Sequence, residues 1–239
     1  MTSGWLSGRV GVVTGASRGI GRATAVELAR AGVHVVLAAT GEAALDEVQA
    51  EIHDSGGRAS AVPTDVSDPA AVDRLFAAAA DIGQVSVLVC AAGVLRKGPF
   101  DEISHDDWQQ SVGVNLTGTL LCCQRAFSAM KASGGGRIVT IASLSGVYAT
   151  EKFPGLVAYN ASKYGVVGIT ESLAVEGKPH GIAAVCISPG AVDTQMLREA
   201  APHLKPGLGP RDVGRLITGL LSLDLLPASG ANLPLFSNE

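Results

Sequence analysis

Residues 9–32 read RVGVVTGASRGIGRATAVELARAG. The opening run, Arg9 to Gly15, is β-branched and shows no alternating polar face, which marks a strand buried on both sides. From Gly19 onward the apolar residues recur at helical spacing until Gly32 closes the segment. Between strand and helix stand Gly15, Gly19 and Gly21, with Ser17, Arg18 and Ile20 among them. Glycines here let the backbone approach a pyrophosphate closely, while the free amides of the helix start point at it. The spacing is Gly-x-x-x-Gly-x-Gly, which differs from the Gly-x-Gly-x-x-Gly of the standard dinucleotide fingerprint. Its place after a first strand and before a first helix predicts a phosphate-cradling turn at the start of an α/β sheet.

The same rhythm continues to the far end of the chain. Further strands are predicted over 33–39, 58–66, 85–93, 136–143, 182–190 and 231–236, and helices over 42–55, 68–80, 104–132 and 157–178. Asp68 caps one helix, with Pro69 in its first turn. A loop with short helices fills 191–222. Near-continuous apolar strands alternating with helices require a parallel sheet covered on both faces. Right-handed crossovers wind it into a Rossmann-like, doubly wound sheet of about seven strands in three α/β/α layers. No Pro/Ser/Gly linker divides the chain, so residues 1–239 are expected to form a single domain.

With 239 residues and 47% hydrophobic content the chain has ample material for a core, mostly aliphatic because only 4% is aromatic. A net charge of −4 argues against nucleic acid as a partner, since phosphate contacts demand a basic face. No apolar run reaches membrane-spanning length and no basic-then-apolar leader opens the chain, so a cytoplasmic protein without a membrane partner is expected. Cys90, Cys122, Cys123 and Cys186 sit in apolar segments without Cys-x-x-Cys spacing, and the five histidines are scattered. Reduced, packed thiols and no metal site follow.

Residues 159–163 read YNASK, placing Tyr159 and Lys163 one helical turn apart. Together with TGASRGIG at 14–21, this segment resembles the short-chain dehydrogenase/reductase family in its compact single-domain branch. The likeness runs from Gly8 to about Pro234, with the motifs in family order. It implies an NAD(P)-dependent oxidoreductase whose catalytic set falls on Asn115, Ser143, Tyr159 and Lys163. Asn115 would hold a water in a proton relay, and Ser143 is preferred to Ser145 because it ends a strand. The resemblance further implies cofactor contacts at Asp65 and Val66 beside the adenine, at Ala92 and Gly93 after the fourth strand, and at Pro189, Gly190 and Thr194 around the nicotinamide. An ammonium at Lys163 is expected to loosen the Tyr159 proton, so that the phenol exchanges a proton with the substrate oxygen.

Two departures from the family pattern stand out. CAAG at 90–93 replaces the usual Asn-Asn-Ala-Gly, which removes side-chain bracing from that turn. The segment between Ser143 and Tyr159 is also slightly long, with the extra residues falling in 149–157. At the tip of the second strand Ala39 and Thr40 stand where an NAD-selecting acid would be. Arg18 can meet a 2′-phosphate, so NADP(H) is favoured and NAD(H) remains open. The substrate is expected to be a small carbonyl or alcohol, as in 3-oxoacyl-carrier-protein reductases, although Val175 lies where a carrier-docking base is common. Val94, Leu95, Val147, Phe153 and Leu197 are candidate pocket walls, and 191–212 a lid. A homo-oligomer, dimer or tetramer, is implied through the two long helices. The alternative function is a catalytically silent dinucleotide-binding sensor or scaffold.

Overall fold

The computed structural model describes residues 4–236. In chain order the elements are β1 (Val10–Thr14), α1 (Gly19–Arg30), β2 (His34–Ala39), α2 (Glu42–Asp54), β3 (Arg58–Pro63), α3 (Pro69–Ile82) and β4 (Val85–Cys90). Then come α4 (His105–Val112), α5 (Gly118–Ala132), β5 (Gly136–Ile141), α6 (Val157–Gly177) and β6 (Ile182–Pro189). The last elements are α7 (Gln195–Ala200), α8 (Pro210–Ser222) and β7 (Asn232–Leu235). The seven strands form one sheet in the order β3-β2-β1-β4-β5-β6-β7, and every neighbouring pair is parallel.

The uninterrupted apolar strands are explained by two hydrophobic layers. On β2, Val35 and Leu37 face a core shared with Leu28 of α1, Leu45 of α2 and Ile217 of α8. Val36 and Ala38, one residue out of phase, face the opposite core with Leu75, Leu88, Cys123 and Met130. Local signals start and stop the helices as expected. Asp68 accepts from the Ala70 amide at 2.9 Å with Pro69 beginning α3. After α1, Gly32 (φ 89°) lets its own amide and that of Val33 return to Ala29 and Leu28.

The structure corrects three element boundaries. β3 ends at Pro63 rather than 66: the Thr64 amide makes the last bond, to Ala39 O at 2.8 Å, and the chain then leaves the sheet toward α3. β4 ends at Cys90, so Ala91–Gly93 form a turn rather than strand. The helix expected over 104–132 is broken by a π-helical turn at Gly113–Thr117, between α4 and α5. The wider turn carries buried Asn115 toward Val94 and Ser162, a tertiary demand that local propensity does not contain.

β1 and β4 are neighbours at the centre of the sheet, but the connection after β1 runs to one side and that after β4 to the other. Their carboxyl ends therefore splay apart into a crevice, where an open parallel sheet binds its ligand.

Candidate active site

The crevice opens into a cleft of about 1130 Å³. Its floor is the glycine turn. Gly15 has φ 65°, and a Cβ there would lie 2.7 Å from Ala91 O and the Ala92 amide. A Cβ on Gly21 would lie 2.2 Å from Gly15 O, so this position tolerates no side chain. A Cβ on Gly19 would project to 3.4 Å from Thr194 Cγ2 on the facing wall. The N-terminus of α1 has no side-chain cap at Arg18 and no acid in its first turn. Its amides and dipole are thus left for an anionic ligand, and the glycine-lined approach fits the pyrophosphate of a dinucleotide.

Ser17, Arg18, Ile20, Thr40, Asp65, Val66, Ala92, Gly93, Pro189, Gly190 and Thr194 all line this cleft, as do Ser143, Tyr159 and Lys163. Asp65 is exposed, and its Oδ1 accepts from Ser67 N at 2.9 Å and from Ser67 Oγ at 2.7 Å, which fixes the turn next to Val66. Thr194 caps α7 through its hydroxyl, which accepts from Leu197 N.

α6 presents Tyr159 and Lys163 on one face, both buried. Ser143, just beyond β5, lines the same wall as Tyr159, and its hydroxyl acts on the phenol's acidity. It also accepts from Ser145 N at 3.2 Å, so Ser145 contributes its amide to holding Ser143. Lys163 Nζ donates to Ile141 O at 2.8 Å and lies 5.6 Å from the centre of the Tyr159 ring.

The Lys163 ammonium is not aimed at the phenol in this arrangement. Burial pushes the Tyr159 phenol above its ordinary value, and the neighbouring Ser143 hydroxyl pulls it down. Burial lowers Lys163 itself to about 8, and its ammonium is directed at a backbone carbonyl instead of the phenol oxygen.

Asn115 stands behind the cleft wall. Its Nδ2 donates to Val94 O at 2.9 Å and to Ser162 Oγ at 3.0 Å, while its Oδ1 accepts from Val94 N at 2.8 Å. Both amide protons are thus committed to protein. Asn115 ties the segment after β4 to α6, and Ser162 completes the tie by donating to Tyr159 O at 2.7 Å.

Two further groups act in the site without a legible sequence signal. Thr14 Oγ1 accepts from the amides of Ala91 and Ala92, each at 3.2 Å. These bonds use backbone donors, so the CAAG turn keeps its shape without the asparagine side chains. Lys152, in the long segment before α6, donates to Leu144 O at 3.2 Å, Val147 O at 2.7 Å and Thr150 Oγ1 at 2.7 Å. Tyr164 adds a bond to Val147 O at 3.0 Å. The wall that follows Ser143 is pinned by its own extra residues, and Ala149 takes a left-handed φ of 60° within it.

Cys90 is buried with its Sγ 3.9 Å from Cys123 Sγ, and that contact, followed by burial, pushes its thiol well above the ordinary value. It is a packing residue of the second core layer. Among the described residues no three His, Cys, Asp or Glu side chains gather as a metal site. No helix of the described residues is long and apolar enough to cross a membrane.

Comparisons with known proteins agree with this geometry. A 3-oxoacyl-[acyl-carrier-protein] reductase of Synechocystis is 38% identical over 193 residues, covering 80% of this chain and 77% of that protein. A cis-4-hydroxycyclohexanecarboxylate dehydrogenase of Sinomonas cyclohexanicum is 37% identical over 211 residues, 87% of this chain and 83% of the relative. A solved protein from Beutenbergia cavernae, described as an NAD(P)-dependent gluconate 5-dehydrogenase with NADP bound at low occupancy, superposes with a TM-score of 0.87. It is 34% identical, with 96% of this chain and 95% of that one covered. The profile of the short chain dehydrogenases matches residues 9–205. A glycine-floored crevice at the sheet's switch point, a Ser143–Tyr159–Lys163 wall and that match lead to one conclusion: the chain belongs to the short-chain dehydrogenase/reductase family of NAD(P)-dependent oxidoreductases.

Proposed function

We propose that this enzyme interconverts a ketone and a secondary alcohol with NADP(H) as the preferred hydride carrier. The observation that carries the reading is the buried Tyr159 phenol, which shares with Ser143 and Lys163 the wall of a cleft floored by the glycine turn. When bound, the dinucleotide supplies or accepts the hydride. Tyr159 transfers the proton to or from the substrate oxygen, and Ser143 steadies that oxygen with a hydrogen bond. A phenol raised by burial stays protonated at neutral pH, which suits it to donate during reduction. The oxidative direction needs the phenolate and gains as pH rises. Lys163 holds a ribose hydroxyl, and Asn115 acts as a positioning residue through Val94 and Ser162.

NADP(H) is preferred because Ala39 and Thr40 line the cleft where a ribose-binding acid would repel a 2′-phosphate, while Arg18 stands on the same rim. The substrate end is walled by Val94, Leu95, Val147, Phe153 and Leu197, with Tyr148 88% exposed at its mouth. Such walls favour a ketone with an apolar body over a polyol. Lys97 Nζ donates to Ala200 O and makes α7 and the following loop a cover for this end, with 191–212 as the lid. Val175 is 76% exposed and uncharged, which weighs against docking of a carrier protein at that position. We further propose a homo-oligomer, to be tested by light scattering in solution.

The deciding experiment is a panel of aliphatic, alicyclic and 3-oxoacyl thioester ketones with the matching alcohols, run with both nucleotides and followed by nicotinamide absorbance. Turnover of an apolar ketone with NADPH, lost in Tyr159→Phe, supports the reading. Tight nucleotide binding without turnover of any compound would instead make the chain a silent sensor. Arg18→Glu is expected to raise the KM for NADPH far more than that for NADH.

A further inference from the structure

Arg18 is the exposed residue that precedes α1, and its Nη1 donates to Gln195 Oε1 at 3.0 Å. Gln195 is the first residue of α7, on the other side of the nucleotide groove. The amide is oriented by its neighbour one turn on, because Gln195 Nε2 donates to Glu199 Oε1 at 2.7 Å. That bond leaves the carbonyl end of Gln195 turned toward the guanidinium. No carboxylate of the described residues lies within ion-pair distance of Arg18, so a neutral amide oxygen is its acceptor. Asp65, the acid nearest the β2 tip in the cleft lining, is occupied by Ser67.

We propose that Gln195 is a specificity-determining residue that competes with the 2′-phosphate of the nucleotide for Arg18. This rests on the NADP(H) reading given above. A doubly charged phosphate makes the stronger hydrogen bond to a guanidinium, so it wins when present. Each binding event nevertheless has to displace the Gln195 bond, which lowers affinity for the phosphorylated nucleotide and leaves the unphosphorylated one untouched. Gln195 thereby narrows the gap between NADP(H) and NAD(H). A single neutral acceptor bond corresponds to about a three- to tenfold change in affinity.

The test uses the full chain and two probes that carry no nicotinamide, adenosine 2′,5′-bisphosphate and adenosine 5′-monophosphate, titrated calorimetrically. Gln195→Ala is expected to tighten the bisphosphate about three- to tenfold and leave the monophosphate unchanged. Gln195→Glu, which offers Arg18 a charged competitor, is expected to weaken the bisphosphate about tenfold or more, again without moving the monophosphate. Thermal melts within the wild-type range verify that both variants fold, as expected for an exposed side chain. Equal shifts of the two probes, or no shift of either, overturn the proposal. Arg18→Glu separates the two levels of the argument. If it weakens the bisphosphate selectively while the Gln195 variants are silent, the competition is wrong and the NADP(H) reading survives. If it affects both probes alike, that reading falls and the competition with it.

Discussion

Replacing Lys163 by Met separates the stability of the fold from the demands of its site. Lys163 is 5% exposed, and burial lowers it from an ordinary 10.5 to about 8. At 1.36 kcal/mol per pK unit, holding the ammonium in place costs the folded state about 3 kcal/mol. Methionine has a similar length and no charge, so Lys163→Met removes that cost. It also removes the bond to Ile141 O, worth about 1–2 kcal/mol. The variant is therefore expected to be about 1–2 kcal/mol more stable near pH 7 while losing nearly all turnover. The pH dependence is the sharper test. Between about 8 and 10.5 the folded wild type has shed the proton that the unfolded chain still binds, so wild-type stability gains with rising pH. The cost is fully present below about 8 and is lifted by 10.5, so the advantage of the methionine variant shrinks across that window and then reverses. Urea unfolding of both proteins near pH 7, about 8.5 and about 9.5 reads this directly. A stability difference that stays constant across those values would refute the claim that the ammonium is held against its own desolvation.

Tyr159→Phe should lower kcat by about 10²–10⁴-fold with little change in nucleotide affinity, because it deletes the proton donor and leaves the cradle intact. For the wild type, steady-state profiles should show the oxidative rate climbing with pH while the reductive rate holds at neutral pH, since burial keeps the phenol protonated. Thr14→Val should orphan the amides of Ala91 and Ala92, cost about 1–3 kcal/mol in chemical denaturation and raise the nucleotide KM, with Thr14→Ser restoring both. Asn115→Ala should destabilise by about 2–4 kcal/mol, because it strips three hydrogen bonds from a buried position. Hydrogen exchange should then show faster opening around Val94 than in β1.

The parallel sheet was legible in the chain because burial on both faces leaves a direct mark: strands such as Val10–Thr14 and Val85–Cys90 carry no polar alternation. The glycine turn was legible for a related reason. A left-handed φ at Gly15 and a 2.2 Å approach at Gly21 admit no other residue, so the backbone requirement is written as glycine. Ser143, Tyr159 and Lys163 were singled out by the family resemblance that TGASRGIG and YNASK carry; helical spacing put only Tyr159 and Lys163 on one face, and the fold brought Ser143 to the same wall. The π-helical turn at Gly113–Thr117, the Thr14 hydroxyl beneath the CAAG turn and the Lys152 clamp on Leu144 and Val147 were decided only in three dimensions. Each depends on a hydrogen-bond partner distant along the chain or on an irregular loop, and neither has a periodicity to read. Protonation was decided there too. The i, i+4 spacing suggested that Lys163 would acidify Tyr159, whereas burial governs both groups and the ammonium is directed to Ile141 O. Spacing in a sequence specifies which side chains share a face, but the desolvation that sets their pKa values comes from the atoms packed around them.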